Sequence, residues 1–369
     1  MIYLDYQATT PLAQEVIAAM TDGLLRYGNP HSAHAMGRQA SAEVEVARAR
    51  VLGALGLPAG QLVFTSGATE ALNIAIQGAA AAAPPGRTRI VTIATEHAAV
   101  IDTVAVCAAR GMEVVVLPVG LGGLVDLDAA ADAIDTRTAL VIAMQVNNEI
   151  GTIQPVAAIA DLAAKAGALF LCDAVQGFGR MALPAVPDMV AISAHKIHGP
   201  KGIGALWLRD GIDLPPLIHG GGQEQGLRSG TLSPLLCSGF GVAAKLCADR
   251  RDADAAHVAT LWDAAVGLFD GWTVNGDREA RYRGNLNIRR DGIDGARLLS
   301  ACRGVAMSLG SACASGSGRT SHVLRAIGLT DQQARSSIRL GFGRYTTIAE
   351  LEEAARLIRD AASEQDRII

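Results

Sequence analysis

Lysine is nearly absent from this chain. The 369 residues include 32 lysines and arginines together, and the only lysines are Lys165, Lys196, Lys201 and Lys245. Chemistry that needs a primary amine therefore has few places at which it can occur. The formal net charge is −4, whereas proteins that bind nucleic acid or anionic membranes usually present a basic patch. We therefore expect neither nucleic acid nor a membrane as a partner.

Long apolar runs and paired cysteines are missing as well. Gly, Pro or a charged residue interrupts every apolar stretch before the roughly 20 residues that a bilayer span needs. The first residues, MIYLDYQATTP, lack the basic and apolar parts of a signal peptide. The 6 cysteines are scattered without CxxC pairs, which is typical of free thiols in a reducing compartment. These features predict a cytoplasmic protein.

The middle of the chain alternates short apolar runs with Ala-rich stretches. We predict strands at residues 62–66, 89–94, 113–119, 139–146, 168–173, 189–193 and 204–208. We predict helices at residues 69–83, 98–110, 127–134 and 156–166. Continuous apolar strands indicate a sheet that helices cover on both faces. The alternation predicts an α/β fold with a mostly parallel central sheet.

After about residue 255 the composition changes, because Arg and Asp become denser and an amphipathic helix is predicted at residues 351–362. The chain also exceeds the roughly 250 to 300 residues at which one core stops growing. We predict a large domain at residues 15–255. Residues 1–14 and 256–369 would form a smaller α+β domain.

Ligands of open α/β sheets bind beyond the carboxyl ends of the strands, so residues directly after the predicted strands are candidates for a site. Lys196 follows one strand and precedes a Gly/Pro-rich loop. A desolvated amine there could form a Schiff base; alternatively, Lys196 and Lys201 are ordinary surface charges. Ala68 and Thr69 open a helix after a glycine turn. They could bind phosphate, or Thr69 could simply cap the helix.

Three further strand ends carry polar side chains. Asp173 could pair with a protonated ring nitrogen or cap the next helix. His97 could stack on a flat cofactor or move protons. Asn148, in the pair after another strand, could hydrogen-bond a phenolic oxygen or belong to a plain turn.

Later in the chain, Cys313 lies in a loop of small residues, SLGSACASGSG. This is the setting of a nucleophilic thiol or of an incidental one. Arg339, between apolar residues, suits a carboxylate clamp or a structural role. We interpret His31 and His34 as structural, because no nearby Cys or acid completes a metal site, and we predict no metal.

One cofactor accounts for the order of these signals. Phosphate loop, His, Asn, Asp and Lys each follow a separate predicted strand. Pyridoxal 5′-phosphate has a phosphate, a phenolic oxygen, a protonatable ring nitrogen and an aldehyde, which match them.

The motif set resembles the cysteine desulfurases of the class-V aminotransferase group, which are fold-type I pyridoxal phosphate enzymes. The matching segments are DYQATTP, TSGATEALN, TEHAAV, VNNEIGTIQP, DAVQ, SAHKIHGPKGIGAL, RSGT and SLGSACASGSG. The length of the cysteine loop is similar to that of the subgroup related to nitrogen fixation and iron–sulfur assembly.

The resemblance implies a role for each matching residue. Lys196 would bind the cofactor covalently, Asp173 would pair with its ring nitrogen and His97 would stack on the ring. Arg339 would bind the substrate carboxylate, and Cys313 would accept sulfur. The other cofactor contacts would be Asn148 and Gln176 at the phenolic oxygen, Ala68, Thr69, Ser193 and His195 at the phosphate, and Thr231 at the phosphate of the partner subunit in a homodimer.

The implied activity converts L-cysteine to L-alanine and leaves a persulfide on Cys313. The sulfur would pass to an acceptor protein such as an iron–sulfur scaffold. A selenocysteine lyase, or another class-V lyase or aminotransferase, remains as an alternative with the same cofactor. A catalytically silent binding protein on the same fold is the alternative from another class.

Overall fold

The computed structural model describes residues 1–184, 186–310 and 320–366. Its strands, in chain order, are β1 (Ile2–Tyr3), β2 (Gly60–Thr65), β3 (Arg89–Ile93), β4 (Glu113–Leu117), β5 (Thr138–Met144), β6 (Leu169–Asp173), β7 (Met189–Ser193), β8 (Gly204–Arg209), β9 (Thr273–Val274), β10 (Asn285–Arg289), β11 (Val305–Ala306) and β12 (Ser337–Gly341).

The helices of the same ranges are α1 (Gln14–Gly23), α2 (Ala35–Leu55), α3 (Ala68–Ala81), α4 (Ala98–Ala109), α5 (Leu127–Ala133), α6 (Val156–Ala166), α7 (Pro234–Leu268), α8 (Gly295–Ala301), α9 (His322–Ala326), α10 (Asp331–Arg335) and α11 (Ile348–Asp366). Side-chain caps fix several starts. The N–H of Gly37, for example, donates to His34 Nδ1 at 3.2 Å at the start of α2, so His34 acts as a cap. Among the described residues, no group of three or more His, Cys, Asp or Glu could hold a metal.

The central sheet has the order β2-β8-β7-β6-β5-β3-β4. β8 is antiparallel to both of its neighbours, and the other adjacent pairs are parallel. The prediction of a mostly parallel α/β sheet is therefore confirmed. β8 is reversed because only residues 194–203 link it to β7, and a parallel connection would need a crossover of a dozen or more residues.

Apolar residues on both faces of this sheet form its core. β3, β5 and β7 are buried along their whole length, as expected for strands covered on two sides. The predicted strands at 113–119 and 139–146 run two residues too far. β4 ends at Leu117 and β5 at Met144, and the apolar residues beyond Met144 enter the loop that leads to Asn148.

A second core lies beside the first and contains Leu4 together with residues between 261 and 362. β1 pairs in parallel with β11, which brings the first residues of the chain against this core. α7 contributes Phe240 to the first core and Leu261 to the second. Because residue 255 falls inside α7, the division into 15–255 against 1–14 and 256–369 remains a proposal. Within the described chain, no helix is long and apolar enough to span a membrane.

Candidate active site

A cavity of about 900 Å³ opens where the parallel strands of the central sheet end. Its size is that of small-molecule and cofactor sites. Residues from β2, β3, β5, β6 and β7, or from the loops that follow them, contribute to its wall. The residues predicted from the sequence that line it are Ala68, Thr69, His97, Asn148, Asp173, Gln176, Ser193, His195, Lys196 and Arg339.

Lys196 follows β7 in a short 3₁₀ turn, and its amine is held by the N-terminal segment. Lys196 Nζ donates to the carbonyl oxygens of Gln7, at 2.5 Å, and Ala8, at 2.8 Å. Burial, followed by the positive charges of Arg180 and Arg339, lowers the pKa of Lys196 to about 7. A large fraction of this amine is therefore uncharged at neutral pH and able to act as a nucleophile.

Asp173 ends β6 with its side chain almost fully buried, at 5% exposure. The N–H of Val175 donates to its Oδ1 at 3.0 Å, and no other hydrogen bond to the carboxylate comes from the described residues. Burial raises the pKa of Asp173, although this N–H and the nearby His97 and Lys196 oppose the shift. A cation in the cavity beside Asp173 would restore its ionised form.

Glu96 lies behind Asp173 and was not predicted as a site residue. Its Oε1 accepts from the N–H of Met144 at 2.7 Å, and its Oε2 is buried without a partner in the described chain. Burial, followed by the charge of Asp173, raises the pKa of Glu96 well above its usual value. A negative charge at Glu96 is therefore disfavoured, and Asp173 is the acid of this pair that lines the cavity.

His97 caps α4 and also lines the cavity. The N–H of Ala99 donates to His97 Nδ1 at 3.1 Å, so in the neutral ring the proton lies on Nε2. Burial lowers the pKa of His97, and the charge of Asp173 opposes this effect. The two interpretations of the sequence, ring stacking and proton transfer, are both compatible with a neutral imidazole here.

The start of α3 forms one end of the cavity. Gly67 is the N-cap residue, so Thr69 is not the cap that the alternative interpretation assumed. The N–H groups of the first helical turn, including Ala68 and Thr69, have no intrahelical acceptor and are suited to an anion. Ser193 and His195 line the same cavity. Burial, with the charges of Lys196, Lys201 and Arg180, lowers the pKa of His195 to about 4.

Hydrogen bonds hold the side chain of Gln176, whereas Asn148 is positioned by the turn that its neighbour builds. Gln176 Nε2 donates to the carbonyl oxygen of Gln7 at 2.9 Å, and Arg180 donates to Gln176 Oε1. The neighbour of Asn148, Asn147, accepts from two backbone N–H groups and builds the turn. Asn148 itself lines the cavity.

Arg339 lies on β12 with its side chain 1% exposed. Its Nη1 donates to the carbonyl oxygen of Asn148 at 2.9 Å and its Nη2 to Asp5 Oδ1 at 2.8 Å. Ser308 Oγ donates to the same oxygen of Asp5 at 2.9 Å. Nε of Arg339 is buried without a partner in the described chain, so the guanidinium is oriented and still has donor capacity.

Two predicted residues do not line this cavity in the described structure. Thr231 is exposed and is not among the lining residues. Cys313 lies outside the described residues. The N-terminal residues Gln7, Ala8 and Thr9 also line the cavity. The DYQATTP motif pointed to this segment, but no residue in it was given a role.

Comparison with known proteins agrees with the resemblance seen in the sequence motifs. The aminotransferase class-V family matches residues 2–353. A cysteine desulfurase IscS from Rickettsia bellii is 41% identical over 368 residues, which covers 97% of this chain and 90% of that protein.

Solved structures are similar over nearly the whole chain. A NifS-like protein has a TM-score of 0.92 at 33% identity and covers 98% of this chain and 99% of its own. SspA in complex with cysteine has a TM-score of 0.84 at 33% identity, with 94% and 100% covered. With a family match over almost its full length and a relative of this identity, the chain belongs to the class-V aminotransferase family of pyridoxal phosphate enzymes and, within it, to the cysteine desulfurases.

Proposed function

We propose that the protein converts L-cysteine to L-alanine and transfers the sulfur to its own Cys313. One feature of the cavity carries this proposal: an amine with a lowered pKa, a buried carboxyl group and an oriented guanidinium (Lys196, Asp173 and Arg339) line the same space. A bond forms between the sulfur atoms of Cys313 and the substrate as the substrate's Cβ–S bond breaks. The carbon skeleton keeps that electron pair and takes up a proton, so no external oxidant or reductant is needed.

The residues of the cavity fit pyridoxal 5′-phosphate. The free N–H groups at the start of α3 suit its phosphate. Among the described residues only the N–H of Val175 donates to the buried carboxyl group of Asp173, which leaves an oxygen available for a ring N–H. When bound, the cofactor supplies an electron sink conjugated to the substrate amine. In our proposal Lys196 holds it covalently and Asp173 binds its ring nitrogen. The remaining contacts come from His97 at the ring face, Asn148 and Gln176 at the phenolic oxygen, and Ala68, Thr69, Ser193 and His195 at the phosphate.

The protein's own groups then orient the substrate and move its protons. Arg339 binds the substrate carboxylate through donors that its contacts with Asp5 and Asn148 leave free. The Nζ of Lys196 takes the proton from the substrate's Cα, which its pKa of about 7 permits at neutral pH. His97, whose neutral ring carries its proton on Nε2, donates a proton when the product forms.

We further propose a homodimer in which Thr231 contacts the phosphate of the partner subunit. Thr231 is exposed and is not among the residues that line its own cavity, which supports this role. The persulfide would pass to an acceptor protein such as an iron–sulfur scaffold. The cysteines of the described residues are all buried and unpaired, which supports a reducing, cytoplasmic location.

Incubation with L-cysteine tests the proposal directly. In a single turnover we expect equal amounts of L-alanine and of a persulfide that mass spectrometry assigns to Cys313. Cys313→Ala should lose both products, while Cys302→Ala, at a buried thiol, should keep them. Alanine formed from cysteine at the wild-type rate by Cys313→Ala would contradict the proposal. If wild type and Cys313→Ala both turned over selenocysteine and neither turned over cysteine, the selenocysteine lyase alternative would be favoured.

A further inference from the structure

The guanidinium of Arg180 contacts two residues of the active-site wall from behind it. Its Nη1 donates to the side-chain Oε1 of Gln176 and, at 3.2 Å, to the backbone carbonyl oxygen of the same residue. Its Nη2 donates to the carbonyl oxygens of Lys196, at 3.1 Å, and Tyr6, at 3.3 Å. In the described structure Arg180 is not among the residues that line the cavity of about 900 Å³. Its hydrogen bonds therefore reach the site through these partners.

The guanidinium of Arg180 is itself held in place. Its central carbon lies over the ring of Tyr282, 5.0 Å from the ring centroid, and an aromatic face attracts a cation at this distance. The preceding residue, Gly179, has a φ of +74°, a conformation that glycine adopts without strain. A side chain that is fixed by a turn, an aromatic ring and two backbone carbonyls has little freedom to move away from Gln176.

Arg180 determines which end of the Gln176 amide faces it. An arginine side chain has donors and no acceptor, so the atom of Gln176 beside it is the oxygen. The nitrogen end points the other way, where Nε2 donates to the carbonyl oxygen of Gln7 at 2.9 Å. That carbonyl also accepts from Lys196 Nζ, so the amide nitrogen lies on the side of the reactive amine. Nε2 carries two N–H bonds, and the one that Gln7 does not use is available for a ligand.

We infer that Arg180 is a positioning residue, which holds the Gln176 amide with its nitrogen toward the cavity so that Nε2 donates to the phenolic oxygen of the cofactor. This inference rests on the proposed function, in which Gln176 contacts that oxygen. The bond from the charged guanidinium is the stronger of the two that fix the amide. Without it, Gln176 is held by the neutral contact with Gln7 alone, and its last torsion is soft. An amide that has rotated offers no donor to the phenolic oxygen.

The charge of Arg180 also acts on Lys196, and this effect has to be separated from the first. After burial, the positive charge of Arg180 is the next cause of the lowered pKa of Lys196. Arg180→Met removes both the charge and the donors. Arg180→Lys keeps the charge but loses the planar set of donors that reaches Gln176, Lys196 and Tyr6 together. A ligand that lacks the phenolic oxygen removes the contact with Gln176 and leaves the charge effect in place.

The test measures how tightly the full-length, cofactor-free protein binds two probes. One is pyridoxal phosphate, and the other is its 3-deoxy analogue, which keeps the aldehyde, phosphate and ring nitrogen but has no phenolic oxygen. The absorbance of the bound probe gives the dissociation constant, and circular dichroism shows whether each variant is folded. Arg251→Met is the matched control. Arg251 lines a cavity of about 40 Å³ together with Arg180, but its Nη2 donates to the carbonyl oxygen of Ala54.

With pyridoxal phosphate, we expect the dissociation constant of Arg180→Met to rise about tenfold. With the 3-deoxy analogue, the same variant should lose about threefold or less, because there is no phenolic oxygen left to contact. Arg180→Lys should show the same preference with a smaller loss, and it carries the test if Arg180→Met does not fold. Arg251→Met should match wild type with both probes.

Two results would overturn the inference while the desulfurase proposal stands. One is unchanged binding of pyridoxal phosphate by the Arg180 variants. The other is an equal loss with both probes, which would show that Arg180 supports the site without acting through the phenolic oxygen. Failure of wild type itself to bind pyridoxal phosphate would overturn both proposals.

Discussion

The pH at which Lys196 reacts with an aldehyde gives a direct test of how the cavity controls its chemistry. The pKa of Lys196 is lowered from 10.5 to about 7, first by burial and then by Arg180 and Arg339. At pH 7 about half of the Lys196 amines would be neutral, against roughly one in three thousand for an ordinary lysine. Since only the neutral amine is nucleophilic, the gain in reactive fraction is on the order of a thousandfold.

The assay mixes cofactor-free protein with pyridoxal phosphate and follows the absorbance of the lysine-bound cofactor. We expect the rate to rise through a midpoint near pH 7 and to level off by about pH 8.5. Below the midpoint it should fall about tenfold per pH unit, because the protonated form accumulates. Pyridoxal, which has no phosphate, should give the same midpoint. This comparison separates the titration of the lysine from that of the cofactor's phosphate.

Three variants make this test specific. Lys196→Ala should give no absorbance, and Lys201→Ala should keep the wild-type profile, because the Lys201 side chain lies exposed at the rim. Arg339→Gln removes one positive neighbour and should move the midpoint upward, by less than burial moves it downward. A wild-type rate that rises tenfold per unit up to pH 9 without levelling would show an ordinary amine. Such a result would refute the reasoning from burial.

Two further predictions concern the substrate and the cofactor. Arg339→Lys should raise KM for cysteine about 10- to 100-fold with a smaller change in kcat. Lysine cannot reproduce the planar guanidinium donors, whose hydrogen bonds to a carboxylate contribute about 1.5 to 3 kcal/mol. Alanine formation measured against cysteine concentration tests this, and an unchanged KM would contradict it. Asp173→Asn keeps the shape but removes the charge beside the ring nitrogen. It should lower kcat at least tenfold and loosen cofactor retention during dialysis, whereas wild-type turnover would exclude the proposed pairing.

The strand ends were predictable because the signal is local. A continuous apolar run followed by a polar residue places that residue at the edge of a parallel sheet, whatever the rest of the chain does. The positions of Asp173 and Lys196 at strand ends were therefore predicted from the sequence together with β6 and β7. The ends of individual strands were less certain. Apolar residues continue past β5 into the loop before Asn148, and composition does not mark where the sheet stops.

The contacts that the N-terminal segment makes with the site could not be predicted from such local patterns. The carbonyls of Gln7 and Ala8 reach Lys196 across 189 and 188 residues of sequence, and Asp5 reaches Arg339 across 334. Contacts of this kind depend on how β1 and β12 lie beside the large sheet, which no local pattern specifies. His322 also lines the cavity, and the sequence did not indicate this, since its hydrogen-bond partner is a backbone carbonyl 226 residues away.

Burial drives the ionisable groups of the cavity toward their neutral forms. It raises the pKa of Asp173 and lowers the pKa values of Lys196 and His97, although attraction between the carboxylate and these two neighbours acts in the opposite direction. Desolvation therefore outweighs pairing in the unloaded site. A ligand with a cationic N–H beside Asp173 and an anion at the start of α3 would restore the carboxylate and satisfy the free backbone donors. Much of its binding free energy would thus come from relieving costs that the folded chain already carries.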